Sequence, residues 1–324
     1  MRSVKRRALV ITLAVVFLLA GGGLGAAWAY GRSLDHHLAR TNAFAGLPSE
    51  RPTETVTGAL NILVLGSDSR DPDSTTDSRT DTIMLVHVDA DHQHAYSISI
   101  PRDTWVYVPE SADGRNGGTK AKINAAYAWG GTPLVVQTVE RYTGVRIDHV
   151  VLVDFAGFAR ITDALGGVDM YVDQSITSIH PPYRKFTKGE HHFTGAEALD
   201  YVRQRYQFKD GDFTREKHQQ AFLKALMDKA ASTGTLTDPV RLNAFLQAVT
   251  RSVTVDEDFD LVDTALALRD LRANDITFLT SPSTGTATVD GQSVVEPDTV
   301  KAKALYAAVR DDTVAQWVAA QASR

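Results

Sequence analysis

The stretch "YVRQRYQFKDGDFTREKHQQ", residues 201–220, holds Arg203, Arg205 and Arg215, with Asp210 and Asp212 between them and Gln219 behind. A guanidinium is planar and always charged, and its fork of donors matches a phosphate or a carboxylate. Arg203 and Arg205 stand two apart. On a helix that spacing turns them about 200° from each other, whereas on an extended segment they share a face. The helix that opens at Thr194 is therefore expected to end near Arg203. Arg215 and Gln219 are four apart on a second helix starting near Thr214, in line with Phe222. Their stripe continues the apolar face of that helix, so they are expected to point inward. A helix N-terminal turn beside arginines favours a bound anion, phosphate above all. The plainer alternative is ion pairing among Arg203, Asp210, Asp212 and Arg215 on a solvated face.

Two further polar clusters sit where apolar runs end, and loops at such ends commonly carry function. "GSDSR…DSRTDT" supplies Asp68, Arg79 and Asp81. Asp68 directly follows one apolar run and Asp81 directly precedes the next, so neighbouring strands would bring both carboxylates to one rim. Converging carboxylates repel unless neutralised. A hard divalent cation held by one or two carboxylates, its shell completed by substrate phosphates, is the usual state of Mg²⁺. The alternative is an acidic surface loop with Asp at turn positions. The loop lacks the Gly-Lys-Ser/Thr ending of a phosphate loop. In "SIPRD", Pro101 cannot donate to a ladder, so Arg102 and Asp103 are delivered at a strand end. Alone, that pair reads equally as an exposed ion pair worth little. His36-His37 and His191-His192 lack metal-ligand spacing, and no G-x-S-x-G or H-E-x-x-H is present. Trp105, Tyr107 and Trp129 suit either a sugar platform or core packing.

The elements that must position these residues are legible. "LNILVLG" (60–66) reads as a buried strand. "TIMLVHV" and "AYSISI" read as two more, joined closely enough for an antiparallel pair. "KINAAYAWGG" is a helix ended by its glycines. The next helix has Thr132 as cap, Pro133 at its first position and Gly144 as its stop. "IDHVVLVDF" and "GVDMYV" are strands around the helix "AGFARITDALGG". Thr194 and Glu197 form a capping box. Residues 240–251 and 261–271 read as helices and "DITFLTS" as a strand. "TVDGQSVV" is a hairpin around Asp290-Gly291, and a last helix runs from Thr299.

The 324 residues carry a net charge of -5 and no cysteine. The weak negative charge argues against general nucleic-acid binding. Without cysteine there are no disulfides, thiolate metal sites or cysteine nucleophile. Arg2, Lys5, Arg6 and Arg7 precede an uncharged run over 8–30 that is long enough to cross a bilayer as a helix. The basic cluster places its own end in the cytoplasm and the remainder outside. A cleaved signal peptide at Ala27-Trp28-Ala29 competes, although the run exceeds the usual signal core of roughly 7–15 residues. The organisation expected is a cytoplasmic tail (1–7), a transmembrane signal anchor (8–30) and an extracytoplasmic stalk (31–58) rich in Pro, Thr, Ser and Glu. One catalytic domain (59–324) follows, with no internal repeat and no second linker, in a single-pass protein of the cell membrane.

Taken in order, "NILVLGSDSR", "SRTDTIML", "SISIPRD", "KINAAYAWGG", "VDFAGFARITDALGGVDM" and "TGAEALDYVRQR" followed by "GDFTREKHQQ" resemble the LytR-CpsA-Psr family over about residues 60–230. The resemblance implies a bacterial ligase that moves a cell-wall glycopolymer from a polyprenyl-pyrophosphate carrier to a peptidoglycan hydroxyl, the muramic acid 6-OH, leaving a phosphodiester. The polymer itself, teichoic acid or another, is not specified. Carried over, Asp68 and Asp81 are the Mg²⁺-site aspartates, with Mn²⁺ as a substitute ion. Asp71, Asp73 and Asp77 in the same loop stay as alternatives. Arg79, Arg102, Arg203, Arg205 and Gln219 match pyrophosphate-binding positions, and Arg215 and Asp103 also fall on the motif. Arg102, Asp103, Arg203 and Arg205 are the catalytic set, Asp103 either as a base or as the residue that orients Arg102. The family also implies an apolar prenyl tunnel, which residues 133–142 and 155–165 suit, as they equally suit ordinary core. The fold expected is α/β (α+β): one three-layer α-β-α domain around a mixed, largely antiparallel sheet, with one N-terminal transmembrane helix. Two other readings remain: a pyrophosphatase acting on the same carrier, and a non-enzymatic regulatory or binding protein of the membrane. The cytoplasmic piece is too short for a helix-turn-helix.

Overall fold

Continuous apolar runs and their glycine and proline stops set the elements of this chain. The computed structural model describes residues 32–67, 80–209, 211–231, 234, 238–268 and 271–322. The tail, the anchor segment and the Ala27–Ala29 motif lie outside the described residues. Among those described, no helix is long and apolar enough to cross a membrane. The chain divides into two compact units. One comprises residues 40–153, 254–259 and 276–324; the other comprises residues up to 39, 154–253 and 260–275. The sequence reading expects a single domain because no internal repeat or second linker is visible; each unit is assembled from non-contiguous segments, so no linker-like composition marks the crossings.

The first unit holds β1 (Ala39–Thr41), β2 (Leu60–Ser67), β3 (Thr80–Val88), β4 (Ala95–Ser99), β5 (Trp105–Val108), β6 (Thr119–Lys122), β7 (His149–Asp154), β12 (Val253–Asp256) and β13 (Ile276–Thr280). Seven of these form a sheet in the order β1-β12-β7-β2-β3-β4-β13. It is mixed: β2–β3 and β3–β4 are antiparallel, and β4–β13 is parallel. A hairpin of β14 (Ser283–Val289) and β15 (Gln292–Pro297) turns at Asp290 and Gly291, both with positive φ. This matches the expected two-residue turn. Helix α1 (Ala125–Thr143) breaks at Gly130–Gly131, restarts at Thr132-Pro133, and ends at Gly144 in the left-handed region. Leu63, Leu65, Leu85 and Ile98 of the sheet pack with Val135, Val136 and Val139 of α1 and with Leu305 and Tyr306 of the later helix Thr299–Arg310. The apolar stretch 133–142 is thus core in this unit.

Part of the segment expected as a stalk is built into the fold. β1 joins the sheet, Ala43 is fully buried, and Arg51 pairs with Glu140 at 2.6 Å while donating to the Ile147 carbonyl. Its polar composition hides this, because the segment is held by backbone pairing and one partly buried ion pair rather than by an apolar period.

Asp256, fully buried on β12, accepts from the Val150 N–H at 2.9 Å, from the Asp258 N–H and from His149 Nδ1 at 3.2 Å. Asp256→Ala is expected to lower stability by about 2–3 kcal/mol, because the buried Val150 N–H loses its acceptor. The His149 pKa is raised, chiefly by its hydrogen bond to Asp256. A raised histidine pKa contributes stability below its unfolded value of 6.5 and loses that contribution as pH rises through the folded value. Wild type should therefore lose this share as pH rises from 6.5 through the raised folded value, and the variant should not. Thermal unfolding measured against pH checks both.

The second unit holds the antiparallel ribbons β8 (Val168–Val172) with β11 (Gly189–Phe193) and β9 (Ile176–Thr177) with β10 (Lys185–Phe186). Its helices are α2 (Phe155–Ala164), α3 (Gly195–Val202), α4 (Asp212–Ala230), α5 (Pro239–Thr250) and α6 (Leu261–Ala267). Val168, Met170, Phe193, Ala198, Tyr201 and Phe222 share one core. Leu34 packs in another with Leu165, Leu242 and Phe245.

Candidate functional site

In the sheet unit, the ends of β2, β3 and β4 that flank two of the three polar clusters lie on one rim. β2 and β3 are antiparallel neighbours, and Ser67 at the end of β2 faces Thr80 at the start of β3. The register shifts between Gly66, opposite Thr82, and Ser67, opposite Thr80, which leaves Asp81 as the extra residue of a bulge. Bulges commonly occur beside active sites, where they re-aim side chains. Gly66 is needed there, because a Cβ would stand 2.9 Å from that of Thr82. Asp68 and Arg79 lie outside the described residues, as does the side chain of Asp81. The premise of the carboxylate argument, that their strands are neighbours, holds in the backbone. Thr80 is fully buried, and among the described residues its Oγ1 has no hydrogen-bond partner. An unpaired buried hydroxyl is an oxygen donor of the kind a hard divalent cation takes.

Arg102 reaches the same rim from β4. The Ile100 N–H extends the ladder to the Ile83 carbonyl at 2.8 Å, and Pro101 ends it. The turn that follows is fixed from several sides. The Pro101 carbonyl accepts from the N–H and the hydroxyl of Thr104. The Arg102 carbonyl accepts from Asn124, that of Asp103 from Val295, and that of Thr104 from Ile123. Arg102 and Asp103 are mostly buried. The Asp103 carboxylate lies 3.2 Å from Lys122 Nζ and 3.9 Å from Arg102 Nε. Sequence reasoning missed Lys122, since nothing in its spacing announces that β6 carries it back to this turn. Trp105 and Trp129 pack against the core, and Tyr107 is exposed with the Arg141 guanidinium 4.4 Å over its ring.

In the second unit, the capping box of Thr194 and Glu197 opens α3, and Arg203 is its C-cap. Arg203 has helical dihedrals (φ -91°, ψ -13°). It is thus a helix end and not part of an extended edge shared with Arg205, as the spacing argument expects. The alternation of burial survives: Arg203 and Arg205 are half-buried, and Gln204 between them is fully buried. The Arg205 guanidinium lies 4.5 Å over the Tyr206 ring and donates to its hydroxyl. Turns closed by Phe208 N–H to Arg205 O and Gly211 N–H to Phe208 O lead into α4. Arg215, in the first turns of α4, is buried, and Gln219 is half-buried. Both were expected to face inward. Asp210 lies outside the described residues, as does the side chain of Asp212.

Sequence reasoning also missed His218. It is buried, and its Nε2 lies 3.2 Å from Asp173 Oδ1 and 3.3 Å from the Tyr201 hydroxyl. Its ring stacks on Tyr201 at 4.7 Å and meets the edge of Phe208 at 4.9 Å. Burial lowers its pKa and, together with Asp173, raises that of Tyr201. The available signal was position, three residues after Arg215 and four before Phe222 on one buried stripe.

The mixed seven-stranded sheet and the helices around it define an α/β protein. The profile of the LytR_cpsA_psr family matches residues 34–311, and the chain belongs to that family. The cell wall biosynthesis protein LcpA of Corynebacterium glutamicum is 32% identical over 291 residues, covering 77% of this chain and 55% of that protein. This chain therefore spans little more than half the length of that relative. The polyisoprenyl-teichoic acid–peptidoglycan teichoic acid transferase TagU of Bacillus cereus is 32% identical over 268 residues, covering 79% of this chain and 83% of that one. The crystal structure of Bacillus subtilis TagV is similar with a TM-score of 0.65 at 28% identity, covering 80% of this chain and 98% of that chain.

Proposed function

We propose that this protein is a Mg²⁺-dependent phosphotransferase that moves a glycopolymer from a polyprenyl-pyrophosphate carrier to a peptidoglycan hydroxyl, forming a phosphodiester. The observation that carries this reading is the Arg102 turn. The backbone of a mostly buried arginine is fixed there at the sheet rim, beside the strand ends that bear Asp81 and lead to Asp68. Family membership and the transferase name of the Bacillus cereus relative support it.

The acceptor oxygen attacks the phosphorus nearest the polymer, and its proton passes to solvent. The bond from that phosphorus to the bridging oxygen breaks, and prenyl phosphate leaves with the electron pair. Such transfers depend mainly on positioning and on stabilising charge. Arg79, Arg102, Arg203, Arg205, Arg215 and Gln219 are assigned to the pyrophosphate oxygens. The Asp103 carboxylate, with Lys122 and Arg102 as its cationic neighbours, is assigned to orient Arg102 rather than to take the acceptor proton. Asp68 and Asp81 would hold Mg²⁺, or Mn²⁺ in its place, and the ion would neutralise charge on the pyrophosphate oxygens. Residues 8–30 would anchor the chain with its tail in the cytoplasm and its catalytic part outside, in a three-layer α-β-α arrangement.

Chelation is expected to lower turnover of a synthetic prenyl-pyrophosphate glycan by at least about tenfold, with recovery on adding Mg²⁺. Full activity in excess chelator would remove the metal from this account. The products separate transfer from hydrolysis, since free glycosyl phosphate without linked polymer would make the protein a pyrophosphatase.

A further inference from the structure

Gln204 stands between two assigned arginines, and its side-chain amide is held by five hydrogen bonds. It is fully buried. Its Nε2 donates to the Asp200 carbonyl at 2.8 Å, to Asp200 Oδ1 at 2.8 Å and to Ser178 Oγ at 2.9 Å. Its Oε1 accepts from the Ile179 N–H at 3.2 Å and from Gln207 Nε2 at 2.6 Å. The cluster closes on itself: the Ser178 hydroxyl donates to Asp200 Oδ1 at 2.6 Å, and Arg184 donates to Asp200 Oδ2 at 3.2 Å. Gln207 Nε2 also donates to the Thr177 carbonyl at 2.8 Å. One amide thus ties the end of α3 to the segment that links β9 and β10.

We infer that Gln204 is a positioning residue that fixes the backbone from which Arg203 and Arg205 reach the substrate; this rests on the phosphotransferase reading above. Long arginine side chains have much rotamer freedom to lose. A guanidinium assists a developing charge only if it is already in place, and a 1 Å displacement can cost about 100-fold in rate. Gln204 removes the freedom at its origin, because neither neighbouring Cα can move while the buried amide keeps its bonds. The exposed alternative, Tyr206, cannot do this, since it contacts Arg205 only at the side-chain tip.

Two variants separate positioning from bulk stability. Gln204→Met keeps the length and loses every hydrogen bond. Gln204→Glu replaces the amide with a group whose protonated form can still donate to Asp200. The ionised form would face the Asp200 carboxylate in a buried cluster, where like charges push a carboxyl pKa upward. The other charged or titratable groups facing this cluster are Arg184, His180 and Arg203. His180 is itself held below its usual pKa by burial and by Arg203, and the wild-type profile controls for it.

The assay is transfer from a synthetic prenyl-pyrophosphate glycan to peptidoglycan fragments, at a temperature where circular dichroism shows every variant folded at every pH used. Gln204→Met is expected to lose roughly 10- to 100-fold in kcat/KM. Gln204→Glu should be as poor at pH 8 and regain activity towards pH 6 relative to wild type. If both variants stay within about twofold of wild type at every pH while Arg203→Ala is impaired, Gln204 is structural and the inference is overturned. If Arg203→Ala is itself fully active, the underlying reading fails and this inference with it.

Discussion

Arg102→Ala and Arg203→Ala are each expected to lower kcat by about 100- to 1,000-fold while leaving the fold intact. The magnitude is what removal of one pre-positioned donor to a developing negative charge costs, and each tenfold corresponds to about 1.4 kcal/mol of barrier. Both arginines meet that description locally. Arg102 sits in a turn whose carbonyls are bonded to Asn124, Ile123 and Val295. Arg203 is a C-cap whose neighbour is locked by a buried amide. Neither change opens a cavity in an apolar core, so thermal unfolding should move little. Lysine in either place should recover only part of the loss, because a point charge does not reproduce a bidentate fork. Variants that retain full activity would remove these arginines from the site.

Gly195→Ala is expected to be strongly destabilising, although it adds only one methyl group. Gly195 opens α3, where a Cβ would stand 2.2 Å from the Ala159 carbonyl oxygen and 2.7 Å from its Cα on α2. Its own N–H donates to Asp163 Oδ1 at 2.7 Å, which holds the two helices at this distance. The obstacle is backbone, so no rotamer change relieves it. Overpacking typically costs about 1–3 kcal/mol, and an obstacle made of backbone puts this case at about 3 kcal/mol. A fall in Tm of roughly 5–10 °C follows, measurable by calorimetry. Ala159→Gly should not rescue it, because the clash is with main-chain atoms. Activity should fall as well, since Arg203 caps the other end of the displaced helix. A variant with unchanged Tm would contradict the helix contact itself.

Most of the elements around the site could be read from local rules. Glycine pairs ended helices where they were expected to, with Gly130–Gly131 breaking α1 and Gly144 closing it. Pro101 stopped β4 and handed Arg102 to the rim, and Thr194 with Glu197 began α3. Those signals are local, a few residues long, and set by backbone geometry. What remained hidden depends on pairing distant in sequence. β1 enters the sheet beside β12, far along the chain, so a polar segment read as a stalk belongs partly to the fold. Lys122 reaches Asp103 through the β5–β6 ribbon, and His218 meets Asp173 across a separation of 45 residues. The arginines were singled out because phosphate chemistry limits the residue types that can do it. Gln204 and His218 were not, because a buried amide or imidazole announces itself only through its neighbours.

The central claim is that the chain transfers rather than merely binds or hydrolyses. The direct measurement is incubation of the purified protein with a synthetic prenyl-pyrophosphate glycan, peptidoglycan fragments and Mg²⁺, followed by mass spectrometry of the acceptor. The account predicts a glycan joined to the fragment through one phosphodiester, with prenyl phosphate released in equal amount and both products lost in Arg102→Ala and Arg203→Ala. Unmodified acceptor, whether the carrier is left intact or cleaved only to free glycosyl phosphate, would contradict it.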